Sequence, residues 1–318
     1  AQDGGRRTGL VLDDLFLMHE TGAGHQDSPE RYAVLSRRLH SDGIVEGCAR
    51  LAPVRAEEEL VLLCHDRLYL QQVKDDIAAG RGQLSTGSTP ICARSLECAL
   101  YAAGAAKVAV DAVMTGQVQN AFCAVRPGGH HATRVRGMGF CIFNTEAIAA
   151  RYAQRAYDVE RVLIIDWDLH HGNGTQDIFY DDGAVFYFST HQSHWYPHTG
   201  KATETGRGAG RGTTLNCPFP AGSGRSRIME AFDNQLRPAA ARFKPQLVVI
   251  AAGFDARVDD PLGRFLLEDE DFAEMTQVAM EIADATAGGR IVSILAGGYN
   301  PEGLASAASA HVQRLMKL

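Results

Sequence analysis

Short apolar runs recur along this chain near Gly9–Leu12, Ala121–Val125, Arg161–Ile165, Val185–Phe188, Gln246–Ala251 and Arg290–Leu295. At this length, with turn-forming residues after them, they read as buried strands rather than helices. Longer stretches with apolar residues at helical spacing lie between or after them: Ser95–Met114, Ser226–Phe243, Glu268–Thr286 and Pro301–Met316. This alternation predicts an α/β fold, with a mainly parallel central sheet and helices on both faces. No repeat, low-complexity tract or linker interrupts the pattern, so residues 1–318 read as a single domain. The glycine-rich segment Thr199–Thr213 reads as a long loop on the rim of a site.

Four of the apolar runs deliver polar chemistry at their carboxyl ends, where parallel-sheet proteins normally place a site. Val162-Leu163-Ile164-Ile165 leads into Asp166-Trp167-Asp168-Leu169-His170-His171-Gly172-Asn173-Gly174. If the extended geometry continues, period two points Asp166, Asp168 and His170 to one side. Carboxylate and imidazole together suit zinc or a similar divalent metal. Ala121–Val125 precedes Arg126-Pro127-Gly128-Gly129-His130-His131, whose proline and glycines permit a turn that aims both histidines inward. Val248–Ala252 delivers Gly253-Phe254-Asp255, and Ile291–Leu295 delivers Ala296-Gly297-Gly298-Tyr299. Taken singly, each cluster has a plainer explanation: a capping carboxylate, an exposed histidine pair or a packing tyrosine. Taken together, they can supply three metal ligands, two bases and a phenol donor.

With these residues in hand, the chain resembles the zinc-dependent histone deacetylase superfamily, which includes acetylpolyamine amidohydrolases. The matching runs are HETGAGHQDSPER, RPGGHHA, GMGFCIFN, DWDLHHGNGTQ, the STH from Ser189, TETGRGAGRG, AGFDARVDDPLG and LAGGYN, and the resemblance as a whole runs from about residue 8 to the end. The resemblance implies an arginase/deacetylase-like fold and a hydrolase that removes acetyl or other acyl groups from acylated lysines. Acetylpolyamines or other small acyl-amines are the alternative substrates. It also implies Asp168, His170 and Asp255 as ligands of one Zn2+ ion, and His130, His131 and Tyr299 as catalytic groups. Asp166 and Asn173 would be the partners of the two histidines. A structural potassium site would comprise Asp166, Asp168, His170, Ser189 and Thr190. Gly139, Phe140 and Tyr196 would wall a narrow acyl-lysine tunnel, and Leu262 would stand where relatives select substrate. Arg31 would either line an internal path for acid release or form a surface salt bridge, the simpler reading. An arginase-like dinuclear manganese enzyme would need more bridging carboxylates than can be assigned, and a non-catalytic relative would not need the complete catalytic set.

The chain departs from the family pattern at Gly128, Thr145, Arg257 and Ala296, none of them an implied ligand or catalytic group. The family's acidic substrate clamp has no counterpart in the loop from Gly82 to Thr89, where Ser85 and Ser88 are the polar candidates. A formal charge of −7 gives no global attraction to nucleic acid or anionic membrane. No stretch is apolar enough for a transmembrane helix. Seven cysteines, an odd number without CxxC spacing, suggest buried thiols in a reducing, cytoplasmic compartment. The chain begins at Ala1-Gln2-Asp3 without methionine, as a trimmed or processed chain would. The sequence does not set the oligomeric state, and a homo-oligomer is compatible with it.

Overall fold

The computed structural model describes residues 8–317. Eight strands form one sheet: β1 (Thr8–Val11), β2 (Ala49–Arg50), β3 (Asn120–Cys123), β4 (Val162–Asp166), β5 (Val185–Gln192), β6 (Thr214–Phe219), β7 (Leu247–Ala252) and β8 (Ile291–Leu295). Their order is β2-β1-β3-β8-β7-β4-β5-β6, and every pairing is parallel. β3, β4, β7 and β8 are buried along their whole length, as expected of strands covered on both faces. The six expected strands are therefore present. β2 has two residues, too few to show a period. β6 is interrupted by Asn216 and Pro218 and lies at the sheet edge, where a missing N–H is tolerated.

The helix Ser95–Met114 buries most of its alanines against β3 and the helix Thr145–Tyr157. The helix Pro301–Met316 packs against both Asp269–Thr286 and Pro29–Ser41. The stretch read as one helix over Ser226–Phe243 is instead Arg225–Ala231, a wide turn at Phe232–Leu236, and Arg237–Phe243. Pro238 has no N–H to continue the ladder, so the preceding turn widens into a π-type turn. All seven cysteines are free thiols, and six are buried.

The strand order positions the site. β3 has β1 on its outer side and β4 has β5, so the chain runs off in opposite directions from these two strands. β7 and β8 later fill the gap. The carboxyl ends of β3, β8, β7 and β4 therefore lie side by side at a topological switch, where open α/β sheets form their binding crevice.

Candidate active site

The loops after these four strands bring the expected groups together. β4 ends at Asp166, and the chain beyond it is not extended, contrary to the period-two expectation. The Asp168 amide donates to Asp166 Oδ1 (3.2 Å) and the His170 amide to Asp168 Oδ1 (2.8 Å). Two successive side-chain-to-backbone turns thus fold Asp168 and His170 towards Asp255 while Asp166 faces elsewhere. Ligand atoms of Asp168, His170 and Asp255 lie within 4.8 Å of one another, and all three residues are buried.

His170 Nδ1 is 3.1 Å from Asp168 Oδ1 and 2.9 Å from Asp255 Oδ2. Burial disfavours an imidazolium here, but the two carboxylates outweigh it and hold His170 up at about 10. Burial and the neighbouring Asp168 push Asp255 up to about 7. Two buried carboxylates around one imidazole form a donor set that a divalent cation satisfies better than a proton does, so the residues fit the metal. The backbone orients the oxygens: the Gly297 amide donates to Asp168 Oδ2 (2.7 Å) and the Leu169 amide to Asp255 Oδ1 (2.8 Å). A Cβ at Gly297 would run into both carboxylates, so a side chain there must displace them.

The paired histidines both turn inward, with ring centroids 4.0 Å apart. Their partners differ in charge. His130 Nδ1 is 3.0 Å from Asp166 Oδ2, whereas His131 Nδ1 is 2.8 Å from the amide oxygen of Asn173. For His130, burial is outweighed by Asp166 and Asp168, which hold it up at about 10. His131 is pushed well below its ordinary value by burial and by the adjacent His130 and His170. One imidazole thus favours its charged form and its neighbour the neutral form.

A channel of about 350 Å³ leads to this floor, lined by Ser88, His131, Gly139, Phe140, His170, Trp195, Tyr196, Pro261, Leu262 and Tyr299. The expected wall residues are all present. Phe140 packs edge-on to Tyr299 (5.8 Å between centroids), and Tyr196 stands 5.2 Å from His131. Gly139 and Phe140 both adopt the left-handed conformation (φ 56° and 66°). A Cβ on Gly139 would meet the His131 ring, so this wall requires glycine. Asp166 lies opposite Ser189 in the β4–β5 register, with Thr190 next along β5.

Two expectations are corrected. Arg31 makes no surface salt bridge. It is buried, with Nε on Asp27 Oδ1 (2.7 Å) and its other nitrogens on the carbonyls of Gly298 (3.2 Å) and Ala296 (3.3 Å). Its guanidinium lies 5.3 Å from the centre of the Tyr299 ring. Ser85 is not available at the rim, because its amide and hydroxyl both donate to Asp76 Oδ2 at 2.8 Å. Ser88 does line the channel.

Several groups near the site were not singled out from sequence. Tyr187 donates its hydroxyl to Asp166 Oδ2 (2.9 Å). Asp27 joins Arg31 to Arg126. Glu146 is fully buried against Gly129, and neither carboxyl oxygen has a hydrogen-bond partner. Burial raises its pKa to about 7, against the pull of His130. An acid whose folded pKa exceeds its unfolded value of ~4.3 leaves stability undiminished below that value and erodes it as pH climbs to the folded pKa. Between pH 5 and pH 8 the wild type should lose on the order of 2–3 kcal/mol that Glu146→Gln does not. Urea unfolding at the two pH values measures this, and parallel losses in both proteins would refute it.

Fold and site define an α/β enzyme with a metal-ligand cluster beneath a narrow channel. The histone deacetylase domain model matches residues 25–315. A probable deacetylase of Archaeoglobus fulgidus is 38% identical over 298 residues, 93% of this chain and 82% of that protein. A histone deacetylase-like amidohydrolase of Pseudomonas aeruginosa is 39% identical over 315 residues, with the same shares. The human polyamine deacetylase HDAC10 is 39% identical over 301 residues, 91% of this chain and 44% of that protein. The solved HDA15 HD domain superposes with a TM-score of 0.93 at 33% identity, covering 98% of this chain and 90% of that one. The chain belongs to the histone deacetylase domain family, and its activity class is that of a deacetylase, an amidohydrolase.

Proposed function

We propose that this chain is a zinc-dependent deacylase that removes acetyl or other acyl groups from lysine side chains. The observation that carries the reading is the Asp168–His170–Asp255 cluster at the floor of a channel that also receives His131 and Tyr299. Bound there, a divalent ion supplies Lewis-acid polarisation and lowers the pKa of water from ~15.7 towards ~7. His131, kept neutral and held by Asn173 through Nδ1, leaves Nε2 free to take a proton from the attacking water and return it to the departing amine. His130, kept charged by Asp166, orients the water and offsets the carboxylates around it. Tyr299 keeps its proton, because burial and the nearby Asp168 and Asp255 push its pKa well above the ordinary phenol value. It therefore donates to the carbonyl oxygen as negative charge develops there. Phe140 and Tyr196 flank the methylene chain of the substrate. A potassium ion is assigned to Asp166, Asp168, His170, Ser189 and Thr190, on the strength of the Asp166–Ser189 pairing.

An acetylpolyamine is the second reading, favoured by the name of the HDAC10 relatives. Leu262 supports the acyl-lysine instead. A cationic substrate calls for a carboxylate in the channel wall, and none of its lining residues is acidic. The test is metal analysis joined to a substrate panel. We expect about one zinc per chain, turnover of acetyl-lysine peptides above acetylpolyamines, inhibition by a hydroxamate, and loss of both metal and turnover in Asp255→Asn. Two metals per chain, or no turnover of either class by zinc-loaded protein, would overturn the proposal.

A further inference from the structure

The loops after β7 and β8 separate once their last backbone bond is made, from the Phe254 amide to the Gly297 carbonyl (3.0 Å). Beyond that point one loop carries Leu262 and the other carries Tyr299, and both line the channel. Two side chains tie them together: Asn300 Nδ2 donates to the Asp259 carbonyl (3.3 Å), and Asp260 makes the larger set of bonds. Asp260 Oδ1 accepts from the Leu262 amide (2.9 Å), and Asp260 Oδ2 accepts from the amides of Tyr299 (2.7 Å) and Asn300 (3.3 Å). Asp260 is only 5% exposed. Among the described residues no arginine, lysine or histidine forms an ion pair with it, so its charge rests on backbone N–H groups. Asn300 caps the helix Pro301–Met316, so the carboxylate also lies at that helix's positive end. From the other side, Trp195 Nε1 donates to the Leu262 carbonyl (2.8 Å).

We infer that Asp260 is a positioning residue: by holding the Tyr299 backbone to the Leu262 loop, it sets where the phenol meets the substrate carbonyl. The inference rests on the role proposed for Tyr299. A carboxylate suits the task because it only accepts, with lone pairs for all three amides. An asparagine would turn an NH2 donor towards one of those amides and push one loop away. Displacement of a reacting group by about 1 Å costs up to roughly 100-fold in turnover.

The experiment is a double-mutant cycle of Asp260→Asn with Tyr299→Phe, read as kcat and KM on an acetyl-lysine peptide, with zinc content and Tm for each protein. We expect Asp260→Asn to lower kcat roughly 10- to 100-fold with KM and zinc content nearly unchanged. In the Tyr299→Phe background the same change should cost almost nothing more, because the phenol it positions is already gone. Equal fold-losses in both backgrounds, or wild-type kcat in Asp260→Asn, would overturn the inference. Near-normal kcat in Tyr299→Phe alone would instead sink the role of Tyr299. Should Asp260→Asn not fold, Asp260→Ser takes its place in the cycle. Failure of both to fold would make Asp260 a determinant of the fold and end the proposal.

Discussion

On the proposed mechanism, Tyr299→Phe should bind zinc as the wild type does and lose turnover by two orders of magnitude or more. The substitution removes one oxygen and leaves the ring, which packs between Phe140 and the Arg31 guanidinium. The backbone tether to Asp260 is also untouched. On the proposed mechanism, what disappears is a hydrogen-bond donor to the developing oxyanion, worth ~3–4 kcal/mol in the barrier. Because the phenol is held well above its ordinary pKa, it is a donor throughout the neutral range. Steady-state kinetics on an acetyl-lysine peptide, with metal analysis of the same sample, gives the answer. Near-normal turnover would exclude the hydroxyl from the reaction, and loss of zinc would recast the residue as part of the metal site.

Asp27→Asn should destabilise the fold by about 3–5 kcal/mol at neutral pH, the cost of leaving a buried charge uncompensated. Asp27 Oδ1 receives Nε of both Arg31 (2.7 Å) and Arg126 (2.8 Å), and all three residues are buried. Burial by itself would raise the Asp27 pKa, but Arg126 and Arg31 outweigh it and hold the carboxyl far below the usual carboxylate range. For an acid with a depressed folded pKa, the stabilisation is present above the unfolded value of ~3.9 and fades as pH falls towards the folded one. The gap between wild type and variant should therefore be the same at pH 7 and pH 5 and narrow in stronger acid. Urea unfolding across that range tests it. A gap below 1 kcal/mol at pH 7 would show that the two guanidinium groups find other compensation.

Much of the fold and of the candidate site was legible in the sequence because the signals are local. A buried parallel strand is a continuous apolar run, and β3, β4, β7 and β8 each hand their chemistry to the next few residues. The histidine pair could be read as inward-facing because proline and glycines flank it. What was hidden depends on partners distant in sequence. Arg31 looks like any helical arginine until Asp27, Ala296 and Gly298 close around it. Asp260 stands among turn residues, and besides the nearby Leu262 amide it accepts from amides 39 and 40 positions away, which nothing local foretells. Glu146 lies in an ordinary helical stretch, and nothing local marks its carboxyl as buried. The route by which Asp168 and His170 converge was also misjudged, since it runs through carboxylate-to-amide turns rather than a continued strand. β6 escaped because Pro218 argues against a strand unless the edge location is known.

The groups proposed to react hang from four adjoining central strands, while part of the channel wall belongs to other segments: Ser88 precedes β3, and Trp195 and Tyr196 follow β5. Those surface segments can therefore be lengthened, trimmed or recoloured while the proposed bond-breaking groups stay in place. Diversification of diet without reinvention of the stomach is built into the way the sheet is strung.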